Sequence, residues 1–206
     1  ISMSIANSDE RMSTEALMRK GNRIKTELGY MAPGISGENI VPNGGFETGD
    51  KSGWVEDMPG HVVSSNSDHV RSGTYGLYAY TNSGAALLRD WFSASEETVY
   101  QFKASMKLIQ LEMDDPLAYL KVIFYFKDGS WNTLGTFSFN AKDYQTPGSG
   151  WKDYEKIETS PVGTTQICVE ILSYNEGGQG WLETAIDDIE VRVFTPSTRE
   201  YIRIGE

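Results

Sequence analysis

Two stretches near opposite ends of the chain place carboxylates where they could do chemistry. The first, ENIVPNGGFETGDKSGW over 38–54, sets Glu47 directly after Phe46, behind a Pro-Asn-Gly-Gly turn. The second, WLETAIDDIEV over 181–191, carries the adjacent acids Asp187 and Asp188. If 40–46 is a strand with Phe46 turned inward, alternation turns Glu47 outward. Were the first and last strands of the fold side by side, Glu47 and Asp187 would converge on one hard cation, together with backbone carbonyls. Calcium suits that mixture, taking about six to eight oxygens in irregular geometry. The alternative is a Glu47 that caps a turn and aspartates left in water, and the residue types alone favour it. Both readings stay open at this point.

Catalytic use of the acids has less support. Glycoside hydrolysis needs two carboxyls about 5 to 10 Å apart across a sugar. Glu170 and Glu183 fall on expected strands, and Glu112, Asp114 and Asp115 fall in a turn-like segment, with no pair rising above the acidic background. His61 and His69 are the only histidines, have no HExxH, GxSxG or Cys/His pattern around them, and read as surface polar residues beside a strand. Gly44-Gly45 and Gly177-Gly178 lack the lysine of a phosphate loop. The lone Cys168, in the β-like run TQICVEI, reads as a small buried side chain and excludes an internal disulfide. No catalytic residue and no enzymatic activity are expected.

The aromatic residues offer a different chemistry. Sugars present apolar C–H faces and rings of hydroxyls, which aromatic platforms and polar side chains together recognise. With Leu77 and Ala79 turned to the core, Tyr78 and Tyr80 face outward on one strand. Trp91, Tyr125 and Trp181 complete the expected platform set, with Trp131, Tyr174 and Arg89 among the other candidates. Trp54, Tyr100, Phe102, Phe124 and Phe126 are assigned to the core.

These residues need a scaffold, and the chain outlines one. From 38 onward it is rich in Tyr, Phe, Val, Ile and Thr, with turn signals at short intervals, which argues for a sandwich or barrel. Strands are expected at 40–46, 61–63, 76–81, 85–92, 99–109, 117–126, 134–140, 152–158, 166–174 and 181–194. Tyr100, Phe102, Ala104, Met106 and Leu108 alternate with Gln101, Lys103, Ser105 and Lys107, giving one core face and one wet face. Before this lies one short helix, expected over 8–28 from its run of helix formers, capped by Asn7 or Ser8 and stopped by Gly29 and Pro33. The domain reading is a linker helix and hinge over 1–37, a β-sandwich module over 38–195, and a tail or linker over 196–206. The thin apolar stripe of the helix makes it a candidate interface for a homo-oligomer.

With 206 residues and a formal net charge of −11, the chain supports one good core but not a phosphate-backbone partner, which clustered Lys and Arg would hold. Neither nucleic acid nor a membrane is expected as a partner, and no stretch approaches the roughly 20 apolar residues of a span. Because the chain opens on Ile1, it reads as a piece of something longer, and the lack of a signal pattern says little about secretion.

Three motifs in order, N-x-x-x-N-G-G-F-E-x-G…G-W from Asn39, S-G-x-Y-x-L (Ser72, Gly73, Tyr75, Leu77) and the closing I-D-D-I-x-V (186–191), resemble carbohydrate-binding modules of the family 4, 9 and 22 type. The resemblance spans roughly 38–194 and implies an all-β fold, the galactose-binding-like β-sandwich jelly roll. It also implies a structural calcium, with Glu47 and Asp187 as side-chain ligands and Gly45 and Thr74 as carbonyl donors. The function it implies is non-catalytic attachment of a larger extracellular or cell-surface protein to a polysaccharide or glycan. The competing expectation is a structural or host-adhesion module of a phage tail or baseplate, located on the virion.

Overall fold

The computed structural model describes residues 35–81, 84–111, 119–143, 145–175 and 181–195. The expected N-terminal helix and the C-terminal tail lie outside the described residues. Residues 36–194 form one compact unit.

Among the described residues there are eleven strands: β1 (Ile35–Ser36), β2 (Val55–Met58), β3 (His61–Ser64), β4 (Gly76–Thr81), β5 (Gly84–Ser93), β6 (Val99–Leu111), β7 (Tyr119–Lys127), β8 (Thr133–Asn140), β9 (Lys152–Thr159), β10 (Gln166–Asn175) and β11 (Leu182–Thr195). They make two antiparallel sheets. The first runs β3-β4-β11-β6-β9, with β1 also paired to β11, and the second runs β2-β5-β10-β7-β8. Strict alternation drives this arrangement: β7 reads half-buried, buried, half-buried along its whole length. Each sheet therefore presents one apolar face, and the only way to bury both is against each other.

An aromatic cluster locks the two layers. Phe102 on β6 is fully buried and meets Phe124, Phe126 and Phe137 of the other sheet at ring-centroid separations of 5.0, 5.8 and 4.9 Å, each edge-on. Truncating it to alanine would cost about 3–5 kcal/mol. All five residues assigned to the core from sequence are buried.

The strand expected at 40–46 is not one. Residues 41–45 form turns, and Asn43 and Phe46 take left-handed backbone, with φ of 48° and 56°. The segment nevertheless runs beside β11, since the Gly37 and Ile40 N–H groups donate to the Val193 and Val191 carbonyls and the Ile189 N–H donates to the Gly44 carbonyl. Asn39 fixes this pairing at side-chain level, donating to the Ile189 carbonyl at 3.0 Å and accepting from the Val191 N–H at 2.9 Å. Strand β2 gives no sequence signal, because its four residues, VEDM, are all exposed and do not alternate. His61 is not a surface residue either. It is 2 % exposed, with Nε2 3.2 Å from Ser173 Oγ across the two sheets, and burial, with a smaller push from Lys51, lowers its pKa to about 3.

Candidate functional site

The two carboxylate stretches meet at one corner of the first sheet. Strict alternation would send Asp187 and Asp188 to opposite faces. A bulge between Asp187 and Glu190, with Asp188 at a φ of 51°, breaks it. As a result both aspartates address the loop over 71–75. Asp187 is completely buried: its Oδ2 accepts from the Arg71 and Ser72 N–H groups at 2.8 and 3.1 Å, and its Oδ1 from the Asp188 N–H at 2.7 Å. Ser72 Oγ donates to Asp188 Oδ1 at 2.7 Å. Glu47, exposed on its turn, accepts from the Thr74 N–H at 3.0 and 3.1 Å and from the Tyr75 N–H at 3.2 Å. Burial raises the Asp187 pKa to about 6, a rise that its backbone donors oppose and the Asp188 charge reinforces.

Two glycines border this convergence, and the second is required by it. A Cβ on Gly45 would lie 3.6 and 3.8 Å from the Asp187 and Asp188 oxygens and 3.8 Å from Glu47 Cγ, so three acidic side chains surround one bare Cα. At Gly73, with φ of 68°, a Cβ would stand 2.3 Å from a Glu47 oxygen. The donor set is hard oxygen throughout, the kind calcium prefers. Side chains alone do not build a cage, since no group of three or more His, Cys, Asp or Glu among the described residues is disposed to hold a metal. A cation here would draw on Glu47 and Asp187 and take the balance from backbone oxygens and water.

The five aromatic candidates divide between three places. Tyr78 and Tyr80 lie on the outer face of the first sheet, where Tyr78 is covered by the His69 ring, stacked at 4.1 Å, and Tyr80 is 43 % exposed. Trp181, just before β11, is half-buried, and its enclosed indole N–H has no acceptor among the described residues, so it is not an open platform. Trp91 and Tyr125 lie together on the outer face of the second sheet. They flank Cys168 in one cross-strand row, since β10 pairs Cys168 with both.

Around that row the second sheet carries more than the sequence selected. Trp131, at the β7–β8 turn, packs edge-on against Trp91 at 5.6 Å, and the two are 49 % and 39 % exposed. Tyr125 donates its hydroxyl to Glu170 at 2.9 Å, while burial and this bond raise its pKa. Arg89 lies opposite Glu170 on β5, is ion-paired to Asp57 at 2.7 Å, and sits 6.0 Å from the Trp91 ring centre. Trp131 escaped selection because it comes from a turn, at φ of 66°, where strand alternation gives no orientation. Glu170 sits opposite Ile123 on β7, a register that only the folded sheet fixes.

No family model and no curated protein sequence matches the chain. Solved structures do. The enzymatically active domain of a tailspike protein of bacteriophage CBA120 superposes with a TM-score of 0.58 at 13 % identity, over 75 % of this chain and 21 % of that one. The carbohydrate-binding module TmCBM61, solved with β-1,4-galactotriose, gives 0.50 at 20 % identity over 75 % of this chain and 98 % of that one. A xylanase 10B fragment of Clostridium thermocellum, a CBM22 module with its GH10 module and xylohexaose, gives 0.51 at 12 % identity over 76 % and 29 % of the two chains. This chain therefore spans about a fifth of the tailspike chain and nearly all of the free-standing module. The likenesses establish its fold as the β-sandwich of carbohydrate-binding modules.

Proposed function

We propose that this chain is a non-catalytic carbohydrate-binding module whose ligand lies on the outer face of the second sheet. One observation carries the reading: Trp91 and Trp131 are paired and exposed on a sheet face that also holds the Tyr125–Glu170 and Arg89–Asp57 pairs. The indoles stack on the C–H faces of sugar rings, and the carboxylates and guanidinium take the hydroxyls. Reversible attachment of this kind raises the local concentration of whatever the module is joined to, at a polysaccharide or a cell-surface glycan. The β-sandwich shared with modules solved on galactotriose and xylohexaose supports a sugar ligand. Localisation outside the cell, or on a virion, follows from the same reading.

The carboxylate corner is proposed as a calcium site of structural rather than ligand-binding purpose. Glu47 and Asp187 would hold the ion and thereby tie the 38–54 segment to β11 and the 71–75 loop. Calcium bound only by the folded state at a hundredfold over its dissociation constant adds about 2.7 kcal/mol. A chelator should lower the melting temperature and calcium restore it. An unchanged melt, with no metal found by elemental analysis, would remove the ion from the account.

The tailspike likeness favours a second reading, an accessory module of a phage tail that adheres to the host or merely assembles. Isothermal titration against a polysaccharide panel separates the two: wild type binding and Trp91→Ala binding about tenfold more weakly, with an unchanged melt, supports the first. A chain that binds no glycan and forms trimers through residues before 35 supports the second.

A further inference from the structure

The bare face of the second sheet has a charge pattern unlike that of the groove on the first. At one end of β7, Lys127 Nζ lies 5.0 Å from the Tyr125 ring centre, in the cross-strand row that reaches Trp91 through Cys168. At the other end, Lys121 Nζ lies 4.2 Å from the Tyr119 ring centre, and that ring stacks on Tyr174 at 5.2 Å. The odd-numbered residues of β7 share the outward face, so both lysines and both tyrosines are on it. The two lysines are six positions apart, about 20 Å at the rise of a strand.

Among the described residues neither lysine has an ion-pair partner, Lys127 donating instead to the neutral Thr133 Oγ1 at 2.7 Å, although the chain as a whole carries −11. Arg89 is cancelled by Asp57, which leaves two lysines against Glu170 on the strands of the face, while Asp128, in the turn after Lys127, is taken up by the Ser130 and Asn132 N–H groups and the Asn132 amide. The groove on the first sheet shows the opposite balance: Asp153, Glu155, Asp188 and Glu190 against Arg71 and Lys103. An ammonium held over an aromatic ring is fixed in place without being neutralised, because the ring has a quadrupole but no charge. Two such cations, each beside an aromatic surface, match a ligand with repeated negative charge and repeated apolar faces.

We infer that the glycan taken by this face is anionic: an extended polysaccharide lying along β7 and β10, with acidic groups at Lys127 and Lys121. The inference rests on the sugar-binding reading above and narrows its ligand class. Lysine is a point charge without the fork that would select carboxylate geometry, so the same pair would serve uronate carboxylates or sulfate esters.

The test uses the whole chain and polymers matched in backbone but not in charge. These are polygalacturonate against its methyl ester, glucuronoxylan against unsubstituted xylan, and dextran sulfate against dextran, each titrated at low and high salt. At least one acidic member should bind tenfold or more tighter than its neutral partner, less so at high salt. A Lys121→Gln, Lys127→Gln double variant with an unchanged melting curve should lose that preference and keep only the neutral-level affinity. Which acidic polymer responds separates carboxylate from sulfate. Equal binding of charged and neutral partners, or a preference that survives the double substitution, overturns the inference and leaves sugar binding intact. Failure to bind any of the six overturns both.

Discussion

The two outer faces of this sandwich differ in what lies on them. Across the first sheet a loop is strapped down at several points: His69 stacks on Tyr78, Lys107 donates to the Asp68 carbonyl at 3.0 Å, Arg71 pairs with Asp153 at 3.2 Å, and Asp187 takes the Arg71 and Ser72 N–H groups. The second sheet leaves its aromatic residues open, with Trp91 and Trp131 touching one another and solvent. The contrast shows why counting aromatics on a strand is a weak guide to a ligand platform. Tyr78 points outward as alternation requires, yet the chain spends it on packing. Trp131 obeys no alternation, yet it is the more exposed of the tryptophan pair.

The comparison is broken most forcibly through Asp187. Asp187→Ala strands three N–H donors and should cost about 2–4 kcal/mol in urea unfolding. Glycan affinity per folded molecule should stay within twofold of wild type, because the strapped face is not the ligand face. A large affinity loss in the folded fraction would join the two regions into one functional unit.

Next in size is Asp90, which lies under the bare face. It is 8 % exposed and, among the described residues, takes only the N–H of its neighbour Trp91 on Oδ1 and has no partner on Oδ2; burial raises its pKa from 3.8 to about 6. The folded state thus binds the proton more tightly than the unfolded one. This group's contribution is favourable at low pH and is lost as pH climbs from about 3.8 through 6. Asp90→Asn should remove that slope and raise stability at pH 7 by up to about 3 kcal/mol, the worth of two pKa units. Thermal melts from pH 4 to 7 would show it, and an unchanged slope would mean that the carboxylate is paired in solution.

Gly73→Ala, which drives a Cβ into the Glu47 carboxylate at a left-handed φ, should cost about 1–3 kcal/mol and loosen the strap without touching binding. Trp91→Ala and Trp131→Ala should each weaken glycan binding about tenfold, roughly 1.4 kcal/mol, with little change in melting. Smallest of all, Tyr80→Ala should leave affinity within twofold. If Tyr80→Ala weakens binding more than Trp91→Ala does, the assignment of ligand to sheet is reversed.

Much of the fold was legible from residue order alone. Residue types along 99–109, 117–126 and 166–174 are enough to mark strands, and the described strands there, Val99–Leu111, Tyr119–Lys127 and Gln166–Asn175, end within two residues of those bounds. Chemistry at the ends was partly legible, since the residues of the NGGFE and IDDI motifs do come together. The reason is not the expected one: Phe46 is buried and Glu47 exposed on a left-handed turn, and Asp187 and Asp188 are aligned by a bulge. Neither device has a period, so no pattern of polar and apolar residues announces it.

By itself the sequence determined that the module from 38 onward is all-β, that Phe102, Phe124 and Phe126 are inside it, and that acids stand at both ends of the module, because burial and alternation are properties of neighbouring residues. Only the tertiary structure decided which outer face is left bare, that Trp131 meets Trp91, and that Glu170 stands between the registers of Lys121 and Lys127. Those facts depend on strand order and register, set by contacts between residues tens of positions apart. Which surface a loop chooses to cover is a matter of the whole fold's packing, and no local stretch of chain records it.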